Sequence, residues 1–141
     1  MAHTCQNLLI RCMDFRLEKS FQEWLKQKGL VADTDIVSVA GACKDLATTP
    51  PDCKTDHVMA MIVLAYEKHG VRNIILTQHQ DCGAYGGQEA FASAEAEEIK
   101  LIADMKKVKE QLVGRFVDLK AQMYWIKKTE NDQWEFEEII S

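Results

Sequence analysis

Proline is scarce in this chain: two residues in 141, adjacent at Pro50-Pro51. With the polar cluster Thr48-Thr49 before them and Asp52 after, they mark one loop over residues 42–53. No apolar run approaches the roughly 18 residues that span a bilayer, so a membrane is not expected as a partner. Basic excess is lacking too: 17 Lys and Arg against 22 Asp and Glu leave a net charge of −5. Without a basic face to neutralise phosphates, nucleic acid is not an expected partner. The opening Met-Ala-His-Thr-Cys-Gln has neither the basic start nor the apolar core of a secretory signal. Five cysteines cannot all pair within one chain, so a reducing cytoplasm is expected, with thiols buried, metal-bound or reactive. The remaining composition, 47% hydrophobic and 28% charged, is that of a globular protein, and the length suits one domain over residues 1–141.

Apolar patterning orders the chain. Asn7 to Cys12 reads as a buried strand. Leu17 to Lys28 carries Leu17, Phe21, Trp24 and Leu25 at helical spacing and stops at Gly29. Residues 35–41 are rich in β-branched side chains and predict a second strand. Residues 55–69 predict a helix with Val58, Ile62, Ala65 and Tyr66 on one face, and Asn73 to Thr77 a third strand. A long charged helix is expected over 88–113, its apolar side formed by Ile99, Ile102, Met105 and Leu112. From Phe116 the period shortens to two. Met123-Tyr124-Trp125-Ile126, a turn at 130–132 and Trp134-Glu135-Phe136 then predict a terminal hairpin. Alternating strands and helices imply an α/β domain: a mainly parallel central sheet of four to five strands flanked by helices, with an antiparallel strand at the C-terminal end.

The chemistry gathers at strand ends. Directly after the third strand comes His79-Gln80-Asp81-Cys82-Gly83, a histidine and a cysteine three positions apart, both suited to zinc. Ligands in an open parallel sheet bind beyond the carboxyl ends of the strands. Cys12 occupies that end of the first strand, so if the two strands are neighbours, Cys12, His79 and Cys82 converge. Two thiolates and one imidazole leave a fourth tetrahedral position open, as in catalytic zinc sites. Asp14 lies within reach of that position, and Arg16, on the same side of an extended chain, can grip its carboxylate.

Cys12-Met13-Asp14-Phe15-Arg16 together with His79-Gln80-Asp81-Cys82-Gly83-Ala84 resembles the β-class carbonic anhydrases, whose pattern is C-x-D-S-R followed by G-H-x-x-C-G-A. The similarity runs in order over about residues 7–90, including the helix-Gly-Val-strand passage from Tyr66 to Ile75, and more loosely through the terminal hairpin. The resemblance implies one zinc per chain on Cys12, His79 and Cys82, a dyad of Asp14 and Arg16, and hydration of carbon dioxide to bicarbonate. Backbone around Gly41 and Gly83 would then offer N–H donors or room for the product. Three departures are visible. The family's R-N-A-G at the end of the second strand reads Ser38-Val39-Ala40-Gly41 here. Phe15 replaces serine and adds an apolar ring close to the site. The family's N-terminal arm, which wraps a partner subunit, is not expected with its cysteine at position 12. Hydrolases of COS and CS2 share this scaffold and remain an alternative, as does a zinc-binding protein without turnover. Uncovered sheet edges and helix faces predict a homodimer or larger homo-oligomer.

Other candidates read as structural. His69 in the last turn of its helix is favoured there by the helix dipole, and His57 is at most a proton carrier. Cys43 and Cys53 lack C-x-x-C spacing and read as small loop or packing residues, Cys5 as a free thiol. Lys106, Lys107 and Lys109 read as a solvated helix face.

Overall fold

The computed structural model describes residues 3–140. Five strands form one sheet in the order β2-β1-β3-β4-β5. Strand β1 (Asn7–Cys12) lies between β2 (Thr34–Val39) and β3 (Asn73–His79), and pairs parallel with both. Strand β4 (Lys120–Lys128) adds in parallel to β3, and β5 (Trp134–Glu138) closes the sheet antiparallel to β4. Every residue of β1 is buried, as expected of a strand covered on both faces.

Helix α1 (Glu18–Gln27) connects β1 to β2, α3 (Cys53–Lys68) connects β2 to β3, and α4 (Ala94–Arg115) connects β3 to β4. The first connection runs in the opposite direction across the sheet from the other two. Right-handed crossovers therefore put α1 on one face and α3 and α4 on the other. On the α1 side, Trp24 stacks on Phe136 at 4.9 Å and meets Tyr124 edge-on at 5.0 Å. Arg11, buried within β1, donates to Glu18 at 2.8 Å, lies 4.2 Å over the Phe21 ring, and donates through Nε to the Cys12 carbonyl.

The structure revises the element limits. Residues 15–17 form a short 3-10 turn, so α1 begins one residue later than the pattern suggests. The proline loop contains a further helix, α2 (Lys44–Ala47), whose Leu46 and Ala47 are buried. Asp52 caps α3 through a reciprocal box with Thr55, which starts that helix two residues earlier than expected. Residues 88–93 are not part of α4: they form a 3-10 turn and a bend, and Ser93 caps the helix by accepting from Ala96 N.

The buried face of α4 also differs from the expected one. It is Glu97, Leu101, Met105, Val108 and Leu112, while Ile99 is 70% exposed. Lys107 is no free surface charge, since its Nζ donates to the Ala47 carbonyl and to Thr49. This phase is directly testable by urea unfolding. Leu101→Ala should cost about 2–5 kcal/mol, whereas Ile99→Ala should stay within about 0.5 kcal/mol. Equal losses in the two variants would contradict the packing.

Candidate metal centre

The parallel neighbours β1 and β3 end at the same edge, and both chains turn sharply there. Cys12 is the last residue of β1, His79 the last of β3, and Cys82 follows after one tight turn. The ligand atoms of Cys12, His79 and Cys82 all lie within 4.8 Å of one another, and all three residues are buried. The two sulfurs are 4.0 Å apart. A zinc–sulfur bond of about 2.3 Å at tetrahedral angles would place two sulfurs roughly 3.8 Å apart.

The imidazole is fixed from behind. His79 Nδ1 lies 2.8 Å from the Gln80 carbonyl, an acceptor only, so Nδ1 carries the proton and Nε2 presents its lone pair. Trp134 packs edge-on against the ring at 5.8 Å. Nε2 is fully buried and without a hydrogen-bond partner among the described residues. An orphaned acceptor beside two thiols is costly unless an electrophile completes it. The donor set fits zinc.

The sulfurs share their charge unequally. The Cys82 thiol, donating across the pair, holds Cys12 well below the usual thiol value, helped by the backbone of Gly41 and opposed by burial. The same pairing, reinforced by burial, pushes Cys82 upward, against backbone N–H groups of Ala84 and Tyr85. Gly41 has φ +82°, and an added Cβ would stand 2.9 Å from the Lys44 Cβ and 3.0 Å from that of Ala84. Only glycine fits a turn this close to the β3 loop. Gly83 faces open space.

Asp14 and Arg16 meet through a turn, not along an extended strand. The Asp14 carboxylate caps the 3-10 turn by accepting from Arg16 N, and Arg16 Nε and Nη2 grip it at 3.1 and 2.7 Å. Asp14 Oδ2 stands 3.8 Å from His79 Nε2. Phe15, between the two, is 86% exposed, so its ring lines no wall of the cluster in the single chain.

Asp81, within the second motif, and Glu97, outside both, complete the support. Arg16 also donates to the Asp81 carboxylate at 3.1 Å and to the Asp81 carbonyl at 2.8 Å. Asp81 adopts a left-handed backbone, φ +59°, which Asp tolerates better than most residues. Its N–H donates at 2.8 Å to Glu97 of α4, a glutamate with no exposed surface whose carboxyl is held above its ordinary value by burial. The hint in the sequence was a glutamate in the helical register of the core face.

A family model described as putative carbonic anhydrase matches residues 2–140. The chain belongs to that family. An uncharacterized protein of Rickettsia conorii is 31% identical over 120 residues, covering 83% of this chain, and the chain spans only 64% of that relative's length. Among solved structures, the β-carbonic anhydrase CcaA superposes with a TM-score of 0.65 at 15% identity, over 99% of this chain and 80% of that one. A tetrameric β-carbonic anhydrase from Sordaria macrospora gives 0.55 at 13% identity, over 96% and 81%. These likenesses establish a β-carbonic-anhydrase fold.

His57 is exposed near the start of α3, and His69 caps its end. Cys43 is fully buried and its Sγ faces the Thr77 carbonyl at 3.7 Å, while Cys53 is exposed.

The Arg16 fork sets an acid limb of stability. Its hydrogen bonds hold Asp14 below the ordinary carboxylate value, and the Gln88 N–H followed by Arg16 does the same for Asp81. Stability from groups with lowered folded values is complete above their unfolded values near 4 and is lost as pH falls through the folded ones. Metal-free Asp14→Asn should therefore lose stability less steeply below about pH 4 than the parent chain. Tryptophan fluorescence reports this at the site, since Arg16 lies 5.6 Å over Trp134. Identical acid limbs would show that the fork carries no stability.

Proposed function

We propose that the chain is a zinc-dependent carbonic anhydrase, one domain with one catalytic zinc, that interconverts carbon dioxide and bicarbonate. Its main support is the unpartnered Nε2 of His79 beside two sulfurs 4.0 Å apart, with a carboxylate at 3.8 Å. Cys12, His79 and Cys82 would hold the ion. When bound, zinc supplies a Lewis acid that lowers the pKa of water from 15.7 to about 7, giving a nucleophile at neutral pH.

The chain's own groups position the reaction. Gln80 holds the proton on Nδ1 and so aims Nε2 at the cluster. Arg16 keeps Asp14 ionised, and its fork restrains the carboxylate from collapsing onto the cluster. Once the attacking water has lost one proton to solvent, Asp14 Oδ2 would accept a hydrogen bond from the remaining hydroxyl, turning a lone pair toward carbon dioxide, and later from the same hydroxyl in bicarbonate. The Gly41 backbone supports the Cys12 sulfur, and the open space at Gly83 leaves room for the product. In the single chain the Phe15 ring is turned to solvent and adds no apolar wall of the kind that would favour COS or CS2. A zinc protein without turnover has no use for a carboxylate restrained beside the ligands.

A cytoplasmic setting is supported by five free thiols. Among the described residues no helix is long and apolar enough to cross a membrane. Assembly into a homodimer or larger oligomer is supported by the edge strand β2, with Ile36 52% exposed, and by exposed Met13 and Phe15 flanking Asp14.

Stopped-flow hydration of carbon dioxide by the zinc-loaded chain, with COS hydrolysis alongside, tests the activity. Rates should climb between about pH 6 and about pH 9. Cys82→Ala should lose zinc by elemental analysis. Arg16→Ala should keep zinc while turnover falls by about 10²-fold. Undiminished zinc in the first variant, or parental rates in the second, would remove the proposed roles. In sedimentation, the mass of a single chain at micromolar concentration would exclude the assembly.

A further inference from the structure

A second cluster of metal-binding donors lies at the opposite end of the sheet, away from Cys12, His79 and Cys82. Cys5 precedes β1, Asp35 lies near the start of β2, and His69 caps the C-terminal end of α3. Their ligand atoms all fall within 4.8 Å of one another, and each residue is half-buried. They line a cavity of about 220 Å³ together with His3, whose ring centroid is 5.1 Å from that of His69. The backbone holds the group together: Cys5 N donates to the His69 carbonyl at 3.0 Å.

From this geometry we infer a second divalent-cation site, built by Cys5, Asp35 and His69 with His3 at its rim. A thiolate, a carboxylate and imidazole together suit zinc and similar borderline cations better than magnesium or calcium. The Asp35 carboxylate at a helix C-terminus, where the dipole favours positive charge, makes the cavity attractive to a dication, and the Cys5 thiol becomes a second anionic donor once the cation displaces its proton. His69 Nδ1 and Asp35 Oδ2 now share a proton at 2.6 Å. Cation entry releases the Cys5 thiol proton to solvent and exchanges the His69–Asp35 hydrogen bond for metal–ligand bonds, with the imidazole proton carried on the ring nitrogen that does not face the cation.

Cobalt(II) titration of the full chain tests the site, because each thiolate–cobalt bond adds near-ultraviolet charge-transfer absorption. The parent chain should bind two equivalents, and Cys5→Ala should bind one while keeping its carbon dioxide hydration rate. His69→Asn, which can still cap α3, should also bind one. Circular dichroism checks that both variants are folded, and Cys5→Ala alone decides the matter if His69→Asn is not. One equivalent lost only in Cys82→Ala, or two equivalents retained in Cys5→Ala, would overturn the second site. One equivalent lost only in Cys5→Ala would uphold it and overturn the carbonic anhydrase proposal instead.

Discussion

Parallel pairing of β1 with β3 is the constraint on which the candidate site depends. The register Asn7 with Asn73 through Ile10 with Leu76 brings both strands to one edge together, so His79 ends β3 only one residue beyond the level of Cys12. Hydrophobic burial drives this alignment: Leu8, Leu9, Ile10, Ile74, Ile75 and Leu76 are at most 1% exposed. A slip of one residue would turn the apolar side chains of one strand to the wrong face, which holds this register against its alternatives. The polar groups at the edge can stay unsatisfied or strained because the apolar strands behind them set their positions.

Beyond the edge, one guanidinium joins two segments far apart in sequence. Arg16 grips Asp14 on its own turn and Asp81 across from it, so the loop after β1 and the loop after β3 are held as one body. Both carboxylates are satisfied by several donors, which keeps them ionised in a partly buried setting. The sulfurs and the imidazole sit deeper, with fewer partners. Fixed charge around two sulfurs and an imidazole holds these groups in place before anything binds.

Much of this was legible in the residues because the chemistry is local. Cys12, Asp14 and Arg16 follow one apolar run, and His79 and Cys82 follow another, so strand ends and candidate ligands could be read together. Adjacency of the strands had to be supposed, since parallel partners leave no mark on local sequence. Helix α2 is four residues long, too short to show a period, and only the burial of Leu46 and Ala47 reveals why it forms. In α4, the apolar stripe misled. Glu97 occupies the core face because it accepts the Asp81 N–H, while Ile99 stands in solvent, so apolar character alone rotates the apparent face. The run Gln88-Glu89-Ala90-Phe91-Ala92 has helical propensity, but the cap at Ser93 ties the start of α4 to a later residue. Asp81 and Glu97 were legible only as neighbours of a motif and of a stripe, since their partnership spans sixteen residues.

The bond between the Asp81 amide and Glu97 also links motions that chain connectivity leaves separate. That amide is sealed by a side chain with no exposed surface, carried on a helix of 22 residues. Deuterium can reach it only when α4 lifts from the sheet or the turn breaks away from α4. Breathing of α4 and loosening of the turn that carries His79 and Cys82 are thus one cooperative opening. The residence time of anything held at that edge is governed in part by how firmly Leu101, Met105 and Val108 seat their helix, although none of them comes near it in sequence.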